Sequence, residues 1–147
     1  MKILVFDLNG EQYAMDILDV ERILAYVNPT DVPDSPDFVD GVINYDSGVI
    51  PILNLNKKFN FKNRSVSKKN KIIVIRREEN QYGIIVDNVS EVIGVNDNSF
   101  EELPEITVNI SKNYIKGLFK IDDKITILLN IDKILSKDEE EMIFVEE

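Results

Sequence analysis

Gln12-Tyr13-Ala14-Met15-Asp16-Ile17-Leu18-Asp19-Val20-Glu21-Arg22-Ile23 lines up, without a gap, with Gln81-Tyr82-Gly83-Ile84-Ile85-Val86-Asp87-Asn88-Val89-Ser90-Glu91-Val92, 69 residues further on. Aromatic, small, aliphatic and Val positions coincide. A second block repeats at an offset of 76: Phe38-Val39-Asp40-Gly41-Val42-Ile43 matches Tyr114-Ile115-Lys116-Gly117-Leu118-Phe119, and Val49-Ile50-Pro51-Ile52-Leu53-Asn54-Leu55 matches Ile125-Thr126-Ile127-Leu128-Leu129-Asn130-Ile131. Two copies of so long a unit are too few for a solenoid. They predict two similar subdomains, pseudo-repeat halves 1–58 and 70–135, inside a single domain 1–147. A basic linker, 59–69, joins them, and an acidic helix and tail, 131–147, follows.

Outward from these blocks the chain reads as strands. Leu4, Phe6 and Leu8 alternate, and Asn9-Gly10 then supplies the dipeptide of a type I′ hairpin turn, in which both residues need positive φ. Ile72–Ile75, Gly83–Val86, Val89–Val95 and Ile125–Leu129 are short, rich in β-branched residues and bounded by turn formers. Asp46-Ser47-Gly48 and Asp122-Asp123-Lys124 fall at matching hairpin tips. Pro51, inside a strand pattern, argues for an edge or a bulge. Helices are few. Asn130 is placed to cap a helix carrying Ile131, Ile134 and Leu135 and running on through charged residues to Glu141. Residues 34–40 fit one helical turn with Pro36 near its start. The class is all-β, a sandwich or small barrels.

Composition removes many chemistries. The 147 residues include no Cys and no His, so thiol nucleophiles, disulfides and imidazole-dependent sites are excluded. The net charge is −10, which opposes nucleic-acid binding. Residues 57–71 run the other way, with seven basic residues and no acid, while 137–147 hold six acids and one Lys. Residues 60–69 and 140–147 carry little apolar surface to offset ordering entropy and are expected to be mobile. No apolar run is long enough to span a membrane. The start of the chain lacks the pattern of a secretory signal, which predicts a cytoplasmic protein with no membrane insertion. The six glycines are scattered, so there is no phosphate-binding loop. Asp122, Asp123 and Asp87 are the candidates for a carboxylate site in a small β-barrel enzyme or ligand-binding protein, and turn positions argue against them. No catalytic residue, cofactor or metal site is assigned.

The stretch Phe38-Val39-Asp40-Gly41-Val42-Ile43-Asn44-Tyr45-Asp46-Ser47-Gly48-Val49-Ile50-Pro51-Ile52-Leu53-Asn54-Leu55 resembles the signature of CheW-like domains. That signature runs aromatic-aliphatic-x-Gly-Val-x-Asn-Leu-Arg-Gly-x-aliphatic-aliphatic-Pro-aliphatic-x-Asp-Leu. Tyr13 to Ile17 with Val20 and Ile23, Gly83 to Val89, and Leu128 to Leu135 extend the likeness over nearly the whole chain. The resemblance implies two SH3-like five-stranded β-barrel subdomains with a short C-terminal helix. It implies a non-enzymatic adaptor in bacterial chemotaxis, monomeric on its own, that couples the cytoplasmic tip of methyl-accepting chemoreceptors to the regulatory domain of the histidine kinase CheA. Partner contacts carry over to Val20, Ile23, Gly41, Ile72, Val89 and Val92, several of which are expected to stay partly exposed. Two departures stand out. The family's Asn-Leu-Arg-Gly is Asn44-Tyr45-Asp46-Ser47 here, and its Val-x-Glu-Ile is Val20-Glu21-Arg22-Ile23. Both signs are reversed together, which predicts an Arg22–Asp46 ion pair within about 4 Å. The same reversal raises the alternative of a CheW-like scaffold for a kinase pathway other than chemotaxis.

Overall fold

The computed structural model describes residues 1–62, 66–96, 101 and 112–144. Ten strands dominate it: β1 (Lys2–Leu8), β2 (Glu11–Asp16), β3 (Val20–Ala25), β4 (Val39–Tyr45), β5 (Gly48–Asn54), β6 (Lys71–Arg77), β7 (Asn80–Val86), β8 (Asn88–Gly94), β9 (Ile115–Ile121) and β10 (Lys124–Leu129). Two short α-helices, α1 (Leu55–Lys58) and α2 (Lys137–Ile143), complete the chain with 3-10 turns at 17–19, 112–114 and 131–133.

The strands form two five-stranded sheets, ordered β8-β1-β2-β10-β9 and β3-β6-β7-β5-β4. Replacing each strand of one order by its repeat partner gives the other order. The two halves nevertheless do not form a sheet each. The hairpin β1–β2 lies among β8, β9 and β10, and β6–β7 lies among β3, β4 and β5. One subdomain per half, the arrangement expected from the repeat, is therefore replaced by an exchange of hairpins. Its physical basis is burial on both faces. Ile3 and Val5 enter one side cluster with Ala14, Phe119 and Leu128, while Leu4 and Phe6 enter the central core. β1 therefore needs strands on both sides of it and packing on both faces, which its own hairpin cannot supply.

The central core is shared, drawing Leu4, Phe6, Tyr13 and Met15 from one sheet and Leu53, Ile73, Ile75, Tyr82 and Ile84 from the other. A smaller cluster fills the other face of each sheet, one around Ile43, Tyr45, Ile72 and Val74 and the second around Ile3, Val5 and Phe119. No ladder joins the first strand of either order to the last among the described residues, so neither sheet is closed into a barrel by backbone pairing.

Turn chemistry follows the sequence. Asn9 and Gly10 have φ of 53° and 80°, as a type I′ turn requires. Asp122 and Asp123 take φ of 51° and 64° in the matching β9–β10 turn, and Asp46 takes 51° at the β4–β5 tip. Pro51 opposes Val42. Both backbone groups of Val42 bond Thr30 rather than β5, and the parallel β5–β7 ladder begins only at Ile52. The N–H that Pro lacks is thus not needed by either neighbour.

Three local expectations are corrected. The helix from Asn130 is interrupted. A 3-10 turn spans Ile131–Lys133, and α2 begins afresh behind Ser136, whose side chain and Glu139 form a reciprocal capping box. Residues 34–40 contain turns and no helix, with Val39 N–H donating to Pro36 O at 2.9 Å. The linker and tail are partly docked: Phe59 is buried, and Phe61, Ile143 and Phe144 pack on the central core. Aromatic burial offsets the ordering entropy there. Residues 63–65 and 145–147 lie outside the described residues.

Candidate partner-binding surface

The two outer strands that carry the predicted contacts are built alike. β3 follows a 3-10 turn capped by Asp16, whose Oδ1 accepts from Leu18 N–H at 3.0 Å. Val20 pairs with Ile75 and Arg22 with Val74, which leaves Glu21 as the extra residue of a β-bulge. On β8 the register slips at the equivalent place: Val89 pairs with Phe6 and Glu91 with Val5, and Ser90 is the extra residue. Each bulge turns its first Val onto the central core, half-buried, and leaves the second aliphatic outside. Ile23 is 43% exposed and Val92 50%. Exposed aliphatics on sheet edges are candidate contacts because they gain burial only against a partner.

Two predicted contacts are corrected. Ile72 is fully buried, lining the interior of its sheet against Gly83, so no partner can touch it directly. Gly41 is buried as well. It has φ of +140°, and a Cβ there would stand 2.1 Å from Thr30 O. Its role is to let the segment around Thr30 reach Val42.

Arg22 and Asp46 meet as predicted, Nη1 to Oδ1 at 3.8 Å, with side chains 56% and 66% exposed. The Arg22 guanidinium lies 5.5 Å from the centre of the Tyr45 ring. These contacts span β3 and the β4 end, the two extremes of the strand order, so the sheet curls until its first and last strands face each other.

Glu21 was missed by the sequence reading. Its carboxylate accepts from Tyr45 Oη, Arg76 Nε and Gln81 Nε2, each at 2.7 Å. Hydrogen bonds from Tyr45 and then Arg76 hold its pKa below the usual carboxylate range, and burial pushes that of Tyr45 up. The one available signal was Tyr45, a phenol where the family signature has Leu.

The acidic candidates do not converge. Asp122 and Asp123 are exposed at the β9–β10 tip. Asp87 serves the fold by accepting from Asn9 N–H at 2.8 Å and from Asn70 Nδ2 at 3.2 Å. No group of three or more possible metal ligands gathers among the described residues. No helix among them is long and apolar enough to cross a membrane.

The CheW-like domain profile matches residues 2–139. The chain belongs to the CheW-like domain family. It is 34% identical to the chemotaxis protein CheW of Klebsiella aerogenes over 92% of this chain and 82% of that one. It is 32% identical to the chemotaxis protein CheW of Thermotoga maritima, over 92% and 88% of the two chains. The crystal structure of the scaffolding protein TtCheW from Thermoanaerobacter tengcongensis superposes with a TM-score of 0.85 at 36% identity, covering 96% of this chain and 91% of that one. This CheW-like protein is a chemotaxis coupling adaptor.

Proposed function

We propose that this CheW-like protein works in the cytoplasm, without catalysis of its own, to couple the tips of methyl-accepting chemoreceptors to the regulatory domain of the histidine kinase CheA. The observation that carries this reading is the matched pair of outer strands. β3 and β8 each present a half-buried Val, at 20 and 89, and an exposed aliphatic, at 23 and 92, behind an equivalent bulge. Two quasi-equivalent apolar edges on one domain suit a protein that bridges two partners. Affinity at such surfaces comes from a few apolar anchors, and charges such as Arg22 and Asp46 contribute specificity.

The test is binding of the wild-type protein to the kinase and to a receptor cytoplasmic fragment from the same genome. Val92→Asp and Ile23→Asp should each weaken one interaction by about tenfold or more, as loss of an interface anchor does, with the thermal midpoint nearly unchanged. A large drop in midpoint would assign these residues to the core. A second reading, a CheW-like scaffold for a kinase pathway other than chemotaxis, is favoured by the reversed Arg22–Asp46 pair. It predicts that a kinase of such a pathway from the same genome binds more tightly than CheA.

A further inference from the structure

We propose that Glu21 is the positioning residue of the β3 surface: its carboxylate clasps the first and last strands of the sheet together and thereby sets where Arg22 and Asp46 stand. The inference rests on the coupling reading above for its functional consequence, and on geometry alone for the clasp.

Three observations carry it. First, no ladder joins β3 to β4, yet one carboxylate binds a donor from each of β4, β6 and β7. Glu21 can do this because the bulge frees it from the β3–β6 register. Its side chain is 23% exposed, so it is available to its neighbours more than to a partner. Second, the clasp fixes Tyr45, and Tyr45 is the platform under the Arg22 guanidinium. Arg22 in turn faces Asp46, the residue that follows Tyr45. The arrangement of the exposed charges is therefore referred, through the phenol, to Glu21.

Third, the pseudo-repeat provides an internal comparison. The positions equivalent to Glu21, Tyr45, Arg76 and Gln81 are Ser90, Ile121, Asp7 and Gln12. Ser90 is too short to span strands, Ile121 has no donor and Asp7 has the wrong charge. Gln12 is engaged elsewhere, accepting from Thr126 Oγ1 at 2.9 Å. The positions of Arg22 and Asp46 are taken by Glu91 and Asp122, two acids. The same scaffold is thus clasped at one end and unclasped at the other, and only the β3 end should depend on this carboxylate.

The test compares Glu21→Gln, Tyr45→Phe, the double variant and Ser90→Ala, all in the full chain. Glu21→Gln keeps the shape and removes the charge that holds three donors. In the NMR spectrum it should move the Arg22 side-chain resonance and the amides of β4, and leave those of β8 and β9 in place. Affinity for whichever of the two probes, kinase or receptor fragment, is lost on Ile23→Asp should fall about tenfold or more, the scale of one charge-assisted hydrogen bond. Tyr45→Phe should do the same, and the double variant should do no more than either single one, because all three break one path. Ser90→Ala should change nothing. A purely stabilising Glu21 would instead lower the midpoint and weaken both probes equally, which overturns the proposal. So would unmoved Arg22 and β4 resonances, or moved resonances with unchanged affinity. Failure of the wild type to bind either probe sinks the coupling reading, and the clasp then stands or falls on the resonances alone.

Discussion

Arg22 and Asp46 lie 3.8 Å apart and more than half exposed, and that exposure limits what their attraction contributes. Solvent-exposed pairs give roughly 0–1 kcal/mol and are screened by salt. Arg22→Glu alone or Asp46→Arg alone should therefore destabilise by less than about 1 kcal/mol. A double-mutant cycle read by urea unfolding should recover that loss in the reversed double variant and show the coupling shrinking at high salt. Gly41 is the opposite kind of residue, buried and intolerant. A Cβ would overlap Thr30 O at 2.1 Å with φ at +140°, so Gly41→Ala should destabilise on the order of 3 kcal/mol through strain and displaced backbone. Both positions were legible in the sequence, one as a sign reversal and one as an aligned Gly. What the sequence could not tell was that Gly41 and Ile72 serve packing rather than contact, because an aliphatic or a Gly reads the same in a core as in an interface.

At the scale of elements, α2 is held by more than its own hydrogen bonds. Lys58, with only 8% of its side chain exposed, pairs with Glu139 and lies 4.4 Å from the Phe38 ring centre and 5.6 Å from that of Tyr114. Its ammonium is out of water and relies on the carboxylate and the ring faces. Burial alone would raise the Glu139 pKa, but the Lys58 hydrogen bond, the Ser136 backbone bond and the Lys58 charge outweigh it and hold the value down. A carboxylate with a depressed folded value adds stability above its unfolded value, near 4.5, and that stability is lost as pH falls through the folded value. Glu139→Gln should therefore be less stable than wild type by about 1–2 kcal/mol at pH 7, between the values for exposed and buried pairs because Glu139 is only partly buried, and the gap should narrow on acidification to about pH 3. A gap that does not change with pH would show that Glu139 acts through packing alone. Ser136→Ala should remove the capping box and about 1 kcal/mol. The Ser-x-x-Glu pattern was present in the sequence. It was overrun because Asn130 and the apolar spacing after it also look like a helix start, and only the buried Ile131, Ile134 and Leu135 show the chain turning into the core before α2 begins. The docking of the tail is illegible for a related reason: in the sequence Ile143 and Phe144 are apolar residues isolated among acids, and only the fold brings Phe144 to the Tyr82 ring, at 6.1 Å between centroids.

At the scale of the whole molecule, eight ladders among the described residues hold the two sheets, and they divide evenly. Four lie within hairpins, β1–β2, β4–β5, β6–β7 and β9–β10. The other four, β1–β8, β2–β10, β3–β6 and β5–β7, all join one half of the chain to the other. The repeat was plain in the sequence, but the exchange was not. The residues that align are those that set turns, bulges and burial, and these are the same whether a hairpin stays with its own half or crosses over. The exchange has a thermodynamic consequence that independent subdomains would lack. Each half on its own retains only two hairpins, and an isolated hairpin is marginal in water at best. Its buried strands would expose Ile3, Val5 and Phe6 in one fragment, and Ile72, Val74 and Ile84 in the other. Residues 1–62 and 66–147, produced as separate chains, should each lack cooperative unfolding by circular dichroism. Mixed, they should regain the β signal and a single transition whose midpoint rises with concentration, because folding has become association. Two fragments that each unfold cooperatively alone would contradict the exchanged arrangement. A mixture with no recovered signal would equally count against folding through the four crossing ladders.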